Sequence, residues 1–463
     1  MTAATLVVPD SVQAALNAIL HVPVETAGVL LASVVKTRSE DLRLLAREFV
    51  LVQDEAYLRR DGAALCVASE GYVAALARAE QLGAMAIWVH THPGLDAVPA
   101  ASEHDLLVDE QLAETFRVRS GSELYGALIL SPRAKGLAFT GHIATAGGAR
   151  SRIERMWLVG DRFRVTSAWD SSSTVVSEEM YDRNVRAMGG AVQSTLCELR
   201  VGVVGCGGTG SAVAEQLVRL GVRNFVLVDP DTLSVSNITR VYGSGAEDVG
   251  RLKVEVLRDH LRRIAPDATC TTVASMLTVV SSAEALIGVD VIFGCTDDNA
   301  GRLILSRFPA YLFTPVIDCG VLISSASDGL ITGIDARVTT VVPESACLMC
   351  RGRIDVARAG AELMSPSERV RLESEGYAPA LGQVEPSVVT FTTLTAATAV
   401  SELLERLVGF GPDVRPGEVL LRCHEREMST NIASPRPGHY CSASSGKLGL
   451  GVTDPLLELA WGA

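Results

Sequence analysis

The sequence is poor in aromatic residues, which make up 5% of its 463 positions. Hydrophobic residues make up 48% and charged residues 21%, which is ordinary for a soluble globular protein. A chain of this length allows two or three domains, each with a sizeable core. Ala, Val, Leu and Gly dominate, and this balance suits helices packed on buried sheets.

Several absences exclude whole classes of protein. No run of about 18 uncharged apolar residues occurs, so we expect no membrane span. The N-terminal segment lacks a basic region and a small-residue cleavage site, so we expect no secretory signal. The net charge of −13 argues against a general nucleic-acid binder, although a local basic patch stays open. Ten dispersed cysteines do not form a disulfide scaffold and favour the reducing cytoplasm.

Alternating strand and helix patterns occur on both sides of a middle segment that has no clear pattern. Residues 1–145 alternate strands with helices, and the Gly/Ser/Thr-rich residues 146–176 are predicted to be a linker. From residue 177 to 463 a second domain follows, in which buried strands alternate with helices as far as about residue 410. This alternation predicts a doubly wound, largely parallel, Rossmann-like sheet.

A glycine motif opens the second domain. Gly205, Gly207 and Gly210 follow the apolar strand RVGVV and begin a helix, which is the context that a phosphate-binding GxGxxG requires. Asp229 ends the next strand and suits a ribose hydroxyl. A tight turn without a ligand and an NAD site are the alternatives.

Charged and polar residues downstream favour nucleotidyl transfer over NAD binding. A dehydrogenase has no need of Asp231, Asn237, Arg240, Lys253 and Asp297 after its glycine motif. Basic side chains can neutralise a triphosphate and an attacking carboxylate, and a carboxylate can hold Mg²⁺. Taken singly, each of these residues could equally be a solvated surface group.

Residues from about 181 to 421 resemble the ubiquitin-activating-like (ThiF/MoeB/HesA) adenylyltransferases. The matching residues are Gly205, Gly207, Gly208, Gly210, Asp229, Asp231, Asn237, Arg240, Lys253, Asp297 and Arg302. The resemblance implies ATP, Mg²⁺ near Asp297, a homodimer and an acyl-adenylate product. It also implies that Arg183, in YDRNVRAMGG, reaches the site of the neighbouring protomer.

Cysteines depart from the pattern of many relatives. The stretch EGYAPALGQVEPSVVTFTTLTAATAV, where those relatives carry a thioester-forming cysteine, has none, and Cys319 is expected to be a buried structural residue. Cys347 and Cys350 have the spacing of a zinc half-site, which Cys441 and His439 could complete. Cys423 or His424 could compete for the metal, and a degenerate site without metal is the alternative.

A second metal motif lies in the first domain. His90 and His92 end a predicted strand and point the same way, so with Asp105 they could bind zinc and leave one position for water. Glu25 could act as general base for amide hydrolysis. The alternative is a polar surface turn.

This set of residues resembles the JAB/MPN (JAMM) metalloproteases, whose pattern is a Glu, then HxHP, then SxxD. The resemblance implies that Ser102 stabilises an oxyanion and that the domain cuts ubiquitin-like proteins from conjugates or trims their tails. The loop between His92 and Ser102 is longer than is usual for the family, and loops tolerate insertion. His104 is expected on the helix surface.

Together the two resemblances suggest one function. The chain would adenylate the C-terminus of a ubiquitin-like or sulfur-carrier protein of Gly-Gly type, which its own zinc site trims or detaches. The pathway would be a bacterial conjugation system, an antiviral one included, or sulfur transfer. A peptide substrate and a non-catalytic binding module are the alternatives.

Overall fold

Two eight-stranded sheets, one in each half of the chain, organise the structure. The computed structural model describes residues 3–62, 64–94, 97–134, 136–168, 179–326, 328–364, 368, 371 and 386–461. The chain divides into a first unit, residues 1–175 with 449–451, and a second unit, residues 176–448 with 452–463. Within the described ranges, none of the helices combines the length and apolar composition that a membrane crossing requires.

The described residues of the first unit form three helices that pack against its sheet. Their bounds are Asp10–Leu20 (α1), Glu70–Leu82 (α2) and Glu103–Ser120 (α3). The strands are Ala4–Pro9 (β1), Ala27–Lys36 (β2), Leu42–Leu51 (β3), Tyr57–Arg60 (β4), Leu65–Val67 (β5), Met85–Thr91 (β6), Leu124–Arg133 (β7), Gly136–Thr145 (β8), Arg150–Val159 (β9) and Arg164–Ser167 (β10). The sheet order is β1-β3-β2-β6-β7-β8-β9-β10, and β1 also pairs with β9, while β4 and β5 form a separate hairpin.

Strand β6 separates two cores, and this decides where its histidines point. Ile87 and Val89 pack in the cluster that includes α1, whereas Ala86 and Trp88 pack in the cluster that includes α2 and α3. Side chains alternate along a strand, so His90 continues the Ala86 and Trp88 series toward α3. The helix that carries Asp105 therefore covers the face on which His90 lies.

The first sheet extends beyond the boundary predicted at residue 145. Strands β9 and β10 lie within residues 146–176, which the sequence assigned to a linker. β9 pairs in parallel with β1 as far as Pro9 and Val159, and β10 pairs with β9. The sequence pattern failed here because Gly/Ser/Thr-rich segments flank the strand and favoured a loop.

The second unit contains the glycine motif. Its described helices are Asp182–Met188 (α4), Gly190–Glu198 (α5), Gly208–Leu220 (α6), Lys253–Ile264 (α7), Val280–Ala285 (α8), Asn299–Leu305 (α9), Phe308–Tyr311 (α10), Val356–Leu363 (α11) and Val389–Val408 (α12). The strands are Arg200–Val204 (β11), Asn224–Val228 (β12), Thr269–Val273 (β13), Val291–Gly294 (β14), Val316–Ser325 (β15), Ile331–Val341 (β16), Glu418–Arg422 (β17) and Glu427–Asn431 (β18).

Five parallel strands form the Rossmann-like half of the second sheet. The order is β13-β12-β11-β14-β15-β16-β17-β18, with β11 to β15 parallel and the last three strands antiparallel. The order reverses between β11 and β14, and ligands of such sheets bind at this point, beyond the carboxyl ends of the strands. The predicted mixed α/β class with a Rossmann-like second domain is confirmed. The expected alternation to residue 410 is wrong, because β16 returns directly from β15 as a hairpin.

Candidate functional sites

Gly205, Gly207 and Gly210 lie between β11 and the first turn of α6, as predicted, and each has a different role. Gly205 has a φ of +88°, and a Cβ there would lie 2.6 Å from the carbonyl oxygen of Cys295. A Cβ on Gly210 would lie 1.8 Å from the carbonyl oxygen of Gly205. A Cβ on Gly207 would meet no atom within 4 Å. The first and third glycines are therefore required by packing, while Gly207 faces open space at the N-terminus of α6, where a phosphate can approach.

Asp229 holds the glycine loop from the end of β12. Its carboxylate accepts hydrogen bonds from the backbone N–H groups of Cys206 (2.7 Å) and Asp231 (2.9 Å). Burial raises the pKa of Asp229, while Lys253 and these two hydrogen bonds oppose the rise. The Lys253 ammonium lies 2.6 Å from Asp231 and 3.9 Å from Asp229. A nucleotide phosphate would therefore compete with Asp231 for the lysine.

Arg240 lines the same cavity as the glycine loop. Its guanidinium donates to the carbonyl of Ser236 at 2.9 Å, and its stem passes 3.3 Å from the point where a Cβ on Gly208 would lie. Asn237 is placed differently from the prediction, because it is outside the cavity lining and its Oδ1 accepts the N–H of Ser234. Asn237 therefore closes the turn that carries Arg240. Arg183 is exposed on α4, also outside the cavity lining.

Two adjacent aspartates, Asp297 and Asp298, have different surroundings. Asp298 caps α9, where its carboxylate accepts the N–H of Gly301 and the hydroxyl of Thr296. Asp297 is exposed and lines a cavity of about 420 Å³ together with the glycine loop, Lys253, Arg240 and Arg302. Of the four aspartates that line the cavity, Asp298 caps a helix, Asp229 holds backbone N–H groups and Asp231 pairs with Lys253. Within the described residues, Asp297 is therefore the lining carboxylate that suits Mg²⁺.

The predicted metal ligands of the first unit lie together. His90 Nε2 lies 3.2 Å from Oδ1 of Asp105, and His92 Nε2 lies 3.4 Å from Oδ2 of the same carboxylate. Ligands about 2.05 Å from a tetrahedral zinc ion are about 3.4 Å from one another, so both separations are compatible with zinc. One possible ligand atom from each of the three side chains lies within 4.8 Å of the other two. Burial opposes ionisation of Asp105, but hydrogen bonds from both histidines hold its pKa well below the usual value.

Ser102 and Glu25 adjoin these ligands. Ser102 is the N-cap of α3, as predicted, and its backbone N–H (2.7 Å) and hydroxyl (2.8 Å) both donate to Asp105. In this arrangement Ser102 orients a ligand carboxylate. Glu25 is buried just before β2, and burial raises its pKa while His90 and His92 oppose the rise. A carboxylate with a raised pKa near two histidines is suited to accept a proton.

The second predicted metal site joins four side chains of the second unit. His439 Nδ1 lies 3.5 Å from Cys347 Sγ, 3.4 Å from Cys350 Sγ and 3.3 Å from Cys441 Sγ, and the sulfurs of Cys350 and Cys441 are 3.6 Å apart. Tetrahedral zinc with typical bond lengths places N and S ligands about 3.5 Å apart and two S ligands about 3.8 Å apart. These four residues therefore fit a closed structural zinc site.

Surrounding groups favour a thiolate in this Cys₃His cluster. Hydrogen bonds from Cys441, and from Tyr440 and Ser306, lower the pKa of Cys347 to about 4. Cys423 and His424, the predicted competitors, are not members of the cluster. His424 Nδ1 instead lies 3.1 Å from the backbone N–H of Ile334.

Three other predictions concern two single residues and one stretch of the sequence. Cys319 is buried in β15, as predicted, and also lines the cavity. His104 is exposed on α3, as predicted. The stretch without cysteine, EGYAPALGQVEPSVVTFTTLTAATAV, lies outside the described residues up to position 385, and its remainder leads into α12.

Two residues near the cavity were absent from the sequence predictions. Asp318 of β15 and Arg337 of β16 form a buried ion pair at 2.6 Å beside Arg302. Neither residue belongs to a recognisable motif. Their proximity arises from the antiparallel pairing of β15 with β16, which the sequence pattern did not predict.

Known proteins resemble the second unit most clearly. The family model of the ThiF family matches residues 181–443. Ubiquitin-like modifier-activating enzyme 5 of Oryza sativa subsp. japonica is 26% identical over 288 residues, covering 58% of this chain and 60% of that protein. The sulfur carrier protein ThiS adenylyltransferase of Escherichia coli strain K12 is 29% identical over 160 residues, covering 34% and 60%.

A solved structure of E. coli MccB superposes with a TM-score of 0.46 at 16% identity, covering 59% of this chain and 75% of that one. This chain spans about 60% of the length of the two sequence relatives. The family match takes in the glycine loop, Lys253, Asp297 and the Cys₃His cluster. On this match, which extends over more than half of its residues, the chain belongs to the ThiF family.

Proposed function

We propose that the second unit uses ATP to adenylate the C-terminal carboxylate of a ubiquitin-like or sulfur-carrier protein. The observation that carries this proposal is one cavity, which is lined by the glycine loop, the carboxylate of Asp297 and the three basic side chains of Arg240, Lys253 and Arg302. Such a cavity combines hydrogen-bond donors for phosphate groups, positive charges that neutralise them and a ligand for Mg²⁺. The relatives named as adenylyltransferase and modifier-activating enzyme support the same reaction class.

In the proposed reaction, a carboxylate oxygen attacks the α-phosphorus of ATP. The bond to the β,γ-diphosphate breaks, and pyrophosphate leaves with the bonding electrons. Lys253 and Arg240 reduce the repulsion between the anionic reactants and stabilise the charge that develops on the phosphates. Mg²⁺ held near Asp297 would neutralise phosphate charge. Gly207 leaves the backbone N–H groups of the loop accessible.

ATP–pyrophosphate exchange tests this reaction. We expect exchange to require a ubiquitin-fold protein that ends in Gly-Gly and to be lost when its last glycine is removed. Exchange supported by a short peptide alone would favour the peptide alternative, and tight binding of NAD without exchange would favour the dinucleotide alternative. Asp297→Asn should abolish exchange, and Asp328→Asn, an exposed aspartate in the β15–β16 turn, provides a matched control.

We also propose that the first unit is a zinc-dependent, JAMM-type peptidase that acts on the same carrier. Zinc held by His90, His92 and Asp105 would polarise a scissile carbonyl and lower the pKa of bound water to about 7. Glu25 would take the proton of that water and pass it to the leaving amine. Ser102 could donate to the oxyanion only if its hydroxyl leaves Asp105.

A carrier with a short extension after Gly-Gly tests the hydrolysis. Glu25→Gln should abolish release of the extension while the zinc content stays unchanged, since Glu25 is not one of the three ligands. Glu80→Gln, an exposed glutamate on α2, is the matched control. A wild type that catalyses neither exchange nor hydrolysis would favour the alternative of a non-catalytic binding module, and activities that survive Glu25→Gln and Asp297→Asn would contradict the roles proposed for these two residues.

The acceptor of the activated carboxyl group follows from the missing cysteine. We propose direct transfer from the adenylate to an amine or a sulfur nucleophile, without a thioester on the stretch EGYAPALGQVEPSVVTFTTLTAATAV. A thioester would be visible as a carrier adduct that dithiothreitol cleaves.

We further propose a cytoplasmic homodimer in which Arg183 reaches the partner's cavity. Arg183→Ala and Lys253→Ala chains should then regain part of the exchange activity when mixed. In a mixed dimer, one of the two cavities combines an intact Lys253 from one chain with an intact Arg183 from the other.

A further inference from the structure

A buried carboxylate, Asp318 of β15, lies between two arginines beside the nucleotide cavity. Its side chain is 0% exposed, and its Oδ2 accepts a hydrogen bond from Arg337 of β16 at 2.6 Å. Arg302 of α9 approaches the other oxygen less closely, with Nε 3.4 Å from Oδ1. Asp318 is therefore mainly the partner of Arg337.

Both arginines reach the cavity wall at Gly320. A Cβ on Gly320 would lie 3.3 Å from Nη2 of Arg337 and 3.7 Å from Nη2 of Arg302. Arg302 and Gly320 line the cavity, and Arg302 also donates to the carbonyl of Cys319 at 3.3 Å. The guanidinium groups thus converge on one point of the wall.

The charges of this trio do not cancel. Two guanidinium ions face one carboxylate, so one positive charge remains. Within the described residues, Nε of Arg302 and Nε of Arg337 have no hydrogen-bond partner. Arg353 also interacts with Asp318 electrostatically, but it is paired with Glu418 at 2.6 Å. Without the charge of Arg337, the main counter-charge of Asp318 would be Arg302, since a buried carboxylate requires one.

We propose that Arg337 is a positioning residue that neutralises Asp318 and so keeps the charge of Arg302 available to the polyphosphate of the nucleotide. The inference rests on the proposed adenylation and concerns how its cavity attracts an anion. Arg337 itself need not touch the nucleotide. Its effect is electrostatic and passes through Asp318 to Arg302.

Direct binding of Mg·ATP to the full-length chain tests the proposal with four proteins. Arg337→Met should weaken binding about tenfold, because the trio loses its net positive charge. The double variant Arg337→Met/Asp318→Asn restores the net charge and should bind within about threefold of wild type. Asp318→Asn alone should bind more tightly than wild type, and its binding should depend more steeply on salt.

The double variant separates charge from structure, because a purely structural role of Arg337 would not be rescued by removing its partner. Arg422→Met, on strand β17, removes one positive charge of the same sheet outside the cavity lining and should leave binding unchanged. Unchanged binding by Arg337→Met, or a double variant no better than Arg337→Met, overturns the proposal. If Arg337→Met does not fold, weaker binding by Asp318→Asn overturns it. A wild type that binds no ATP instead counts against the adenylation.

Discussion

Zinc content is the property that the two candidate metal sites predict most directly. Among the described residues, three side chains of the first unit and four of the second are grouped closely enough to bind a metal ion, so we expect two zinc ions per chain. Changing Cys441 to Ser removes a thiolate from the Cys₃His cluster. Only the zinc ion of the second unit should be affected.

The size of the effect follows from the geometry of the cluster. Its ligand separations, 3.3 to 3.6 Å, agree with a tetrahedral site to within a few tenths of an ångström, so all four ligands can bind without rearrangement. Structural zinc sites contribute roughly 10–16 kcal/mol in small domains, so one ligand in four corresponds to about 3 kcal/mol. That free energy weakens zinc binding by roughly a hundredfold.

Zinc released by a chelator and counted per chain provides the assay. We expect two ions for wild type, one for Cys441→Ser after dialysis against a moderate chelator, and one for a His90→Ala/His92→Ala variant. Cys423→Ser is the matched control, since this cysteine lies outside the cluster, and it should retain both ions. Thermal unfolding should show that Cys441→Ser destabilises the second unit.

Two results would refute this reasoning. Two zinc ions in dialysed Cys441→Ser would mean that the sulfur is not a ligand. Loss of an ion from Cys423→Ser would mean that the metal binds through a different set of residues. One ion in wild type that the His90→Ala/His92→Ala variant retains would refute only the site of the first unit.

Three further predictions concern the second unit. Lys253→Met should lower ATP–pyrophosphate exchange by up to about a hundredfold, since a charge-assisted hydrogen bond contributes up to about 3 kcal/mol, and exchange at saturating ATP checks this. Asp298→Ala should lower the free energy of unfolding by about 1 kcal/mol, because the cap of α9 is lost. Asp297→Asn should instead abolish exchange without changing the free energy of unfolding. Urea titrations of the two variants measure this difference. Burial opposes ionisation of Glu418, but hydrogen bonds, chiefly from Arg353, lower its pKa to about 2 from 4.5. Ionised Glu418 therefore stabilises the fold by about 3 kcal/mol above pH 5, and this stability is lost as the pH falls from 4.5 toward 2. The difference in unfolding free energy between wild type and Glu418→Gln should shrink over that range, and a constant difference would contradict the assignment.

The sequence was sufficient to predict features that depend only on residues a few positions apart, namely the glycine loop, the pair of histidines and the cap of α3. Glycines with a positive φ or a close backbone approach, such as Gly205, can be replaced by few residues, so their spacing identifies the nucleotide loop. His90 and His92 point the same way because strand side chains alternate, and Ser102 caps α3 because its oxygen reaches the N–H three residues on. These regularities operate over a few residues and are visible in the sequence.

Tertiary structure alone decided which distant residues share a site. The sequence could not place β9 in the first sheet, because that pairing depends on contacts with β1 some 150 positions earlier. The sequence predicted a role for Asp297 but could not show that the neighbouring carboxylate, Asp298, is the N-cap of α9. It offered Cys423, His424 and His439 for one metal, and only the fold brought His439 to the cysteines. Arg337 and Asp318 meet because β15 and β16 form a hairpin, and the energy of a buried charge depends on such neighbours rather than on sequence spacing.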